Sequence, residues 1–126
     1  MRSLTKAKTI FCDIDGTILP HSGEMETLID HVYNDKNLSL LPGVKEKFQE
    51  WEEQGHNIIL TTGRRESLRD ATEKQLIKAG ISYDLLIMGI GGGQRVLIND
   101  LKPDSKEPTA VAICIERNKG MEGVTV

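Results

Sequence analysis

The most constraining feature of the sequence is an apolar stretch that ends abruptly on two carboxylates. Thr9–Cys12 is mainly apolar, Asp13 and Asp15 flank one more isoleucine, and the Gly16–Thr17 pair that follows extends a strand poorly. A short apolar run of this kind predicts a parallel strand that is covered on both faces. Ligands of open α/β sheets bind beyond the carboxyl ends of the strands. The two aspartates are therefore predicted to lie at the mouth of a ligand-binding crevice.

The spacing of the two aspartates predicts a bound cation. Carboxylates at i and i+2 on an extended chain point to the same side. At about 7 Å and an effective dielectric constant near 20, their repulsion is roughly 2 kcal/mol. A hard cation with oxygen ligands offsets this repulsion, and Mg²⁺ shared with a substrate phosphate is the ion that best fits.

A second apolar run, Asn57–Leu60, ends on hydroxyl and glycine residues. Thr61-Thr62-Gly63-Arg64 follows it, ahead of a predicted helix over residues 67–79. Hydroxyls and exposed backbone N–H groups between a strand and a helix form a cradle for phosphate. Thr61 or Thr62 is predicted to hold a phosphoryl group. Gly63 belongs to the same cradle, and Arg64 and Arg65 are the predicted contacts of an anionic substrate.

The remaining periodicity predicts further strands and helices in alternation. Val44, Phe48 and Trp51 mark the apolar face of a helix that ends at Gly55, and Gly80 closes the helix over residues 67–79. Met25, Leu28, Ile29 and Val32 predict a helix from Glu24 to Tyr33. The other predicted strands are Leu85–Met88, Val96–Ile98 and Ala110–Ile115. Alternating strands and helices predict right-handed crossovers and a parallel sheet.

These motifs resemble those of the haloacid dehalogenase (HAD) superfamily. Apolar strands are followed in turn by Asp-Ile-Asp-Gly-Thr, by Thr-Gly-Arg and by Asn99-Asp100, and the resemblance spans Thr9–Ile115. It implies an α/β fold, a Rossmann-like three-layer sandwich with a mostly parallel sheet. At 126 residues, a single domain over 1–126 without a large cap is expected, with residues 20–41 as a small flap or helical insert.

The resemblance also implies roles for individual residues. Asp13 attacks phosphorus and becomes an aspartyl-phosphate, while Asp15 exchanges a proton with the leaving oxygen and then with water. Thr62 holds the phosphoryl oxygens. Mg²⁺ is expected between Asp13, the carbonyl of Asp15, and Asp100.

The sequence departs from the HAD pattern at the basic residue that neutralises charge beside the phosphate. A glycine run, Gly89–Gly93, occupies the place where that lysine is expected. Lys102 is the first substitute and Arg95, also a predicted substrate contact, is the second. Lys74 and Lys78 remain alternatives on the preceding helix.

The net charge and the hydropathy of the chain limit the classes of binding partner and the locations that we expect. The net charge of −3 and pI near 5.6 give no basic surface for duplex nucleic acid, so no nucleic-acid partner is expected. No apolar run approaches 18 residues and the N-terminus lacks an apolar core, so we expect no membrane span, no signal peptide and a cytoplasmic location. Cys12 and Cys114 lie in apolar runs and are expected to be structural thiols.

The function expected from the resemblance is that of a Mg²⁺-dependent phosphomonoesterase. Because capless relatives often enclose their site with a neighbouring subunit, a small phosphorylated metabolite such as a sugar phosphate and a homo-oligomer are expected. Surface-polysaccharide synthesis is one pathway that the resemblance suggests. Two alternatives stay open: a receiver-like signalling domain that accepts one phosphoryl group, and a polynucleotide-end phosphatase, which the charge disfavours.

Overall fold

The computed structural model of the protein describes residues 6–21 and 39–126. In this part of the chain, strands and helices alternate. Strand β1 (Thr9–Asp13) is followed by helix α1 (Val44–Glu53), strand β2 (Asn57–Thr61), a single 3-10 turn (Glu66–Leu68), helix α2 (Arg69–Lys78) and strand β3 (Leu85–Ile87). The prediction of an α/β fold with a parallel sheet is confirmed, and the described residues contain no large cap.

The sheet aligns the ends of β1 and β2. Its strand order is β1-β2-β3 with all neighbours parallel. Asp13 pairs in register with Thr61, and Thr61 with Ile87. The polar residues that follow β1 and β2 therefore emerge side by side at the carboxyl edge, which is where parallel sheets bind ligands.

One face of the sheet forms the core and the other carries exposed apolar side chains. Cys12, Ile58, Leu60 and Leu86 are buried on the first face. On the second face, Phe11 and Leu85 flank Ile59 in one registered row, and Phe11 is 55% exposed. Successive side chains of a strand point to opposite faces of the sheet. The row of Phe11, Ile59 and Leu85 therefore lies on the face that the described residues do not fully cover.

Helix α1 begins and ends where the sequence predicts. Val44, Phe48 and Trp51 recur at helical spacing and are all buried, and the Phe48 and Trp51 ring centroids lie 5.1 Å apart. Gly55, with φ of 77°, follows the helix in the left-handed conformation that glycine adopts without a steric cost. The interpretation of Trp51 as a core residue is thus confirmed.

The C-terminal segment returns to the loop that follows β1. The Asn118 side chain donates to the carbonyl of His21 and accepts from its amide, at 2.8 and 2.7 Å. The backbone amide of Asn118 donates to the carbonyl of Gly16. The backbone amide of Met121 donates to the carbonyl of Pro42. Through these hydrogen bonds, residues 118–121 connect the loop after β1 to the segment that precedes α1.

The predicted strands over Val96–Ile98 and Ala110–Ile115 are not formed, and this part of the prediction was wrong. Both segments lack strand hydrogen bonding, and Ile98 is 89% exposed. For Val96–Ile98, the reason is the short connection after β3. A parallel neighbour needs a crossover of a dozen or more residues, whereas residues 88–94 form a short link that contains no helix.

The predicted helix from Glu24 to Tyr33 and most of the 20–41 insert lie outside the described residues. The extent of the domain, 1–126, stays a prediction. In the described ranges 6–21 and 39–126, no helix has the length and hydrophobicity that crossing a membrane requires.

Candidate active site

The centre of the site is Asp13, the last residue of β1. The residue is exposed at the carboxyl edge of the sheet. Thr17 donates its hydroxyl to Oδ2 of Asp13 at 3.3 Å, because the tight turn after Asp15 brings the chain back over the strand end. An exposed carboxylate oriented in this way is placed to react with a group that enters from solvent.

The surroundings of Asp13 raise the pKa of its carboxyl group. Partial desolvation by the protein is the main cause, and the like charge of Asp15 adds to it. The Ile14 amide, the Thr17 hydroxyl and the charge of Arg95 act in the opposite direction. The charge of Arg95 thus favours negative charge on Asp13, whereas Lys102, the first candidate from the sequence, is not among the groups that shift this pKa.

Asp15 does not face solvent freely but is held by Arg64. Nε of Arg64 donates to Oδ2 of Asp15 at 2.9 Å, and Nη2 donates to Oδ1 at 2.7 Å. The Arg64 side chain is 2% exposed and that of Asp15 is 19% exposed. The structure therefore directs the Arg64 guanidinium to Asp15, whereas the sequence analysis assigned Arg64 to the substrate.

Two buried polar residues of α2 complete the environment of Arg64. Nη1 donates to the hydroxyl of Thr72 at 3.1 Å and to Oε1 of Gln75 at 2.7 Å. Sequence analysis missed both residues. A signal was present, because Thr72 and Gln75 share the helix face of Leu68, Leu76 and Ala79, and buried polar side chains require partners.

The Thr-Gly-Arg segment after β2 is covered by the glycine run. Thr62 is 1% exposed, and its Oγ1 accepts the amide of Arg64 at 3.1 Å, so its own proton is available to another acceptor. A Cβ on Gly63 would lie 2.8 Å from the carbonyl oxygen of Gly91. Thr61, the alternative hydroxyl, is half-buried and registered with Asp13. Both threonines thus lie at the edge of the sheet beside Asp13.

Asp100 and Lys102 are exposed residues of the irregular segment after Arg95. The Asp100 carbonyl accepts the hydroxyl of Thr109, which brings the two ends of this excursion together. The assignment of Asp100 to a metal stays a prediction.

The described residues do not by themselves form the expected metal site. Within residues 6–21 and 39–126, no three His, Cys, Asp or Glu side chains are grouped to hold a cation. The Asp15 carboxylate is already bound by Arg64, and Asp13 supplies one carboxylate. Because Mg²⁺ needs several oxygen ligands at about 2.0–2.1 Å, these residues fit it incompletely.

Arg117 and Asn118, near the C-terminus, contact the loop after β1, and these contacts were not predicted. A Cβ on Gly16 would lie 3.1 Å from Cγ of Arg117, so the stem of Arg117 packs over the loop after β1. His21, which Asn118 holds by two hydrogen bonds, has a buried Nδ1 for which residues 6–21 and 39–126 provide no hydrogen-bond partner. Nothing in the local sequence signals these contacts, because about a hundred residues separate the two segments.

Cys12, by contrast, takes no part in this chemistry. Its side chain is in the core and burial raises the pKa of the thiol to about 12. A thiol of such high pKa is a poor nucleophile at neutral pH. The structural role expected for Cys12 is consistent with this environment, whereas Cys114 is exposed.

Comparisons with known proteins agree with this geometry. A family model described as HAD superfamily, subfamily IIIB (Acid phosphatase) matches residues 1–109. Among solved structures, a chain of a Pnkp1/Rnl/Hen1 complex is similar with a TM-score of 0.50 and 28% sequence identity, over 76% of this chain and 32% of that chain. The present chain thus spans about a third of that structure's chain. A search of curated proteins finds no match.

Proposed function

The chain belongs to subfamily IIIB of the HAD superfamily, the acid phosphatases, and we propose that it hydrolyses a small phosphorylated metabolite. The observation that supports this proposal best is the exposed Asp13 carboxylate beside the Thr61–Gly63 segment, on adjacent parallel strands. A nucleophile at one strand end and phosphate-binding groups at the next are what phosphoryl transfer requires. A sugar phosphate, for instance in surface-polysaccharide synthesis, is the substrate class we propose, and the cytoplasm the location.

The proposed reaction has two steps. An oxygen of Asp13 attacks phosphorus, the bond to the ester oxygen breaks, and Asp15 gives that oxygen a proton. Water then loses a proton to Asp15 and attacks the aspartyl-phosphate, which releases phosphate and restores Asp13. Arg95 is the basic group we propose to offset the negative charge, because its charge already acts on Asp13.

HAD superfamily phosphatases generally depend on a metal ion. We propose Mg²⁺ for this chain, with Asp13 and the carbonyl of Asp15 among its ligands. When bound, the ion would neutralise charge on the transferring phosphoryl group. Asp100 is the proposed third ligand.

A polynucleotide-end phosphatase is the second candidate. The similarity to a chain of the Pnkp1/Rnl/Hen1 complex favours it, and the net charge of −3 disfavours it. The family match favours either phosphatase over a receiver-like domain, and β2 ends on a threonine where a receiver would carry its phosphoacceptor aspartate.

Phosphate release from a panel of esters tests the proposal. The panel contains sugar, amino-alcohol and nucleoside monophosphates and an oligonucleotide with a terminal phosphate, each with Mg²⁺ and with EDTA. We expect kcat/KM of about 10⁴ M⁻¹ s⁻¹ or more for at least one small ester, and loss of turnover in EDTA. Preference for the oligonucleotide would support the second candidate, and a single equivalent of phosphorylation without turnover would support the receiver-like domain.

We also propose that the protein is a homo-oligomer. Apolar side chains are exposed along the excursion after Arg95 and on the uncovered face of the sheet: Phe11, Leu85, Val96, Leu97, Ile98, Leu101, Val111 and Ile113. A concentration of exposed apolar side chains supports an association site. Because every copy offers both the excursion and the sheet face, a second copy is the partner that we propose to cover them.

Mass measurement by light scattering or sedimentation tests the oligomer. We expect a multiple of 14.0 kDa for the wild type and a shift to 14.0 kDa for Ile98→Lys. The matched control is Ile77→Lys, since Ile77 is 73% exposed on α2 but lies outside these segments, and it should keep the wild-type mass. A wild-type protein that is monomeric at micromolar concentration would contradict the proposal.

A further inference from the structure

We infer that Arg64 is a positioning residue: it fixes the Asp15 carboxylate in the orientation in which that group passes a proton to the leaving oxygen. The inference rests on the proposed function and deepens it. It replaces the role in substrate binding that the Thr-Gly-Arg sequence suggests for this arginine.

The hydrogen bonds of Arg64 leave its guanidinium committed to protein groups. Nε and Nη2 both donate to Asp15, and Nη1 donates to Thr72 and Gln75. The side chain is 2% exposed, so each of these bonds lies away from solvent. Arginine is rarely buried to this extent unless it is paired, and here the paired carboxylate belongs to the site.

The backbone of Arg64 is held as firmly as its side chain. Its amide donates to Oγ1 of Thr62 at 3.1 Å, and its carbonyl accepts the amide of Gly89 at 2.7 Å. Arg64 therefore connects β2, α2 and the glycine run to a carboxylate on the loop after β1. A displacement of any of these segments would be transmitted to Asp15.

The geometry of the pair explains why an arginine suits this position. Two parallel N–H bonds to the two carboxylate oxygens fix the plane of the carboxylate, which a single ammonium cannot do. The Asp15 side chain keeps 19% of its surface exposed, so one side of the group can still reach a substrate. Orientation within a few tenths of an ångström decides the efficiency of a positioned proton donor.

The dependence of turnover on the leaving group separates this role from a structural one. An alkyl phosphate needs a proton on its leaving oxygen, whereas 4-nitrophenolate leaves without one. For Arg64→Lys, which keeps a positive charge in the fold, we expect kcat/KM for an alkyl phosphate to fall by about 10² or more, and for 4-nitrophenyl phosphate by less than about 10-fold. Asp15→Asn should show the same asymmetry.

Two comparisons complete the experiment. Arg64→Lys added to Asp15→Asn should cause little further loss, because both changes remove the same proton transfer. Arg69→Lys is the matched control: Arg69 also binds carboxylates, those of Glu66 and Glu73, but does not contact Asp15. It should leave the ratio of the two substrates unchanged.

The outcomes distinguish the inference from the proposed function. Equal losses for both esters in a folded Arg64→Lys protein, or an additive double variant, would overturn the positioning role while leaving the phosphatase intact. If Arg64→Lys increased KM and left kcat unchanged, the role of Arg64 would be to bind the substrate and not to position Asp15. A wild type that hydrolyses neither ester would refute the proposed function, and the inference with it.

Discussion

Replacing Asp13 with asparagine is expected to abolish phosphate release while the protein stays folded. The variant removes the attacking oxygen and keeps the shape of the side chain, including an acceptor for the Thr17 hydroxyl. Loss of a nucleophile typically lowers kcat by at least about 10³-fold. The rate of phosphate release from 4-nitrophenyl phosphate measures the effect.

The same variant should not lower the stability of the fold. Partial desolvation by the surrounding protein raises the pKa of Asp13, so folding disfavours its charged form. Above the folded-state pKa, that carboxylate costs stability, and a neutral asparagine removes the cost. Thermal unfolding at neutral pH should therefore give an equal or higher Tm. Asp104→Asn, an exposed carboxylate outside the candidate site, is the control. Undiminished turnover by Asp13→Asn would exclude Asp13 as the nucleophile.

Gly120→Ala is expected to have the largest effect on stability. Gly120 has φ of 88°, and a Cβ there would lie 2.2 Å from the carbonyl oxygen of Pro42. The methyl group of the new alanine would clash with backbone atoms of Pro42, and a change of side-chain rotamer cannot relieve a clash with backbone. Strain at positive φ and overpacking together predict a loss of roughly 2–4 kcal/mol in the free energy of unfolding. Denaturant unfolding monitored by the fluorescence of Trp51, which is buried on α1, gives the value.

Gly123→Ala separates the steric clash from the conformational strain. Gly123 also has positive φ, 79°, but a Cβ there would have no heavy atom of the described residues within 4 Å. For Gly123→Ala we expect the free energy of unfolding to fall by only about 1 kcal/mol. If the two variants were equally stable, residues 118–121 would not pack on Pro42 as described, and the contacts of Asn118 with the loop after β1 would be in question.

Local pattern predicted the elements that surround the site. The apolar run of β1, the helical spacing of Val44, Phe48 and Trp51, and the glycines at 55 and 80 are signals within a few residues of one another. They depend on burial of one face and on backbone sterics, which act locally. The parallel sheet followed from the alternation of strands and helices, whereas the pairing of β1 with β2 was seen only in the structure.

The same local reasoning failed where the length of the connecting segment decides whether a strand can join the sheet. Val96–Ile98 has the composition of a strand, but the link that precedes it is too short to place a parallel strand beside the sheet. Apolar pattern reports the tendency of a segment to be buried and not the surface that buries it. The exposed segment therefore led us to the proposal of a second copy.

The amino-acid sequence by itself determined the order of β1 to β3 and of the helices between them, with Asp13 at the end of β1 and Thr62 directly after β2. Only the tertiary structure decided what the charged side chains do. Asp15 and Arg64 are 49 residues apart and meet because β1 and β2 are neighbours, while Thr72 and Gln75 reach Arg64 because α2 packs against it. The partner of a buried charge is chosen by proximity in space, since an ion pair needs contact within about 4 Å, and residue order alone does not report that distance.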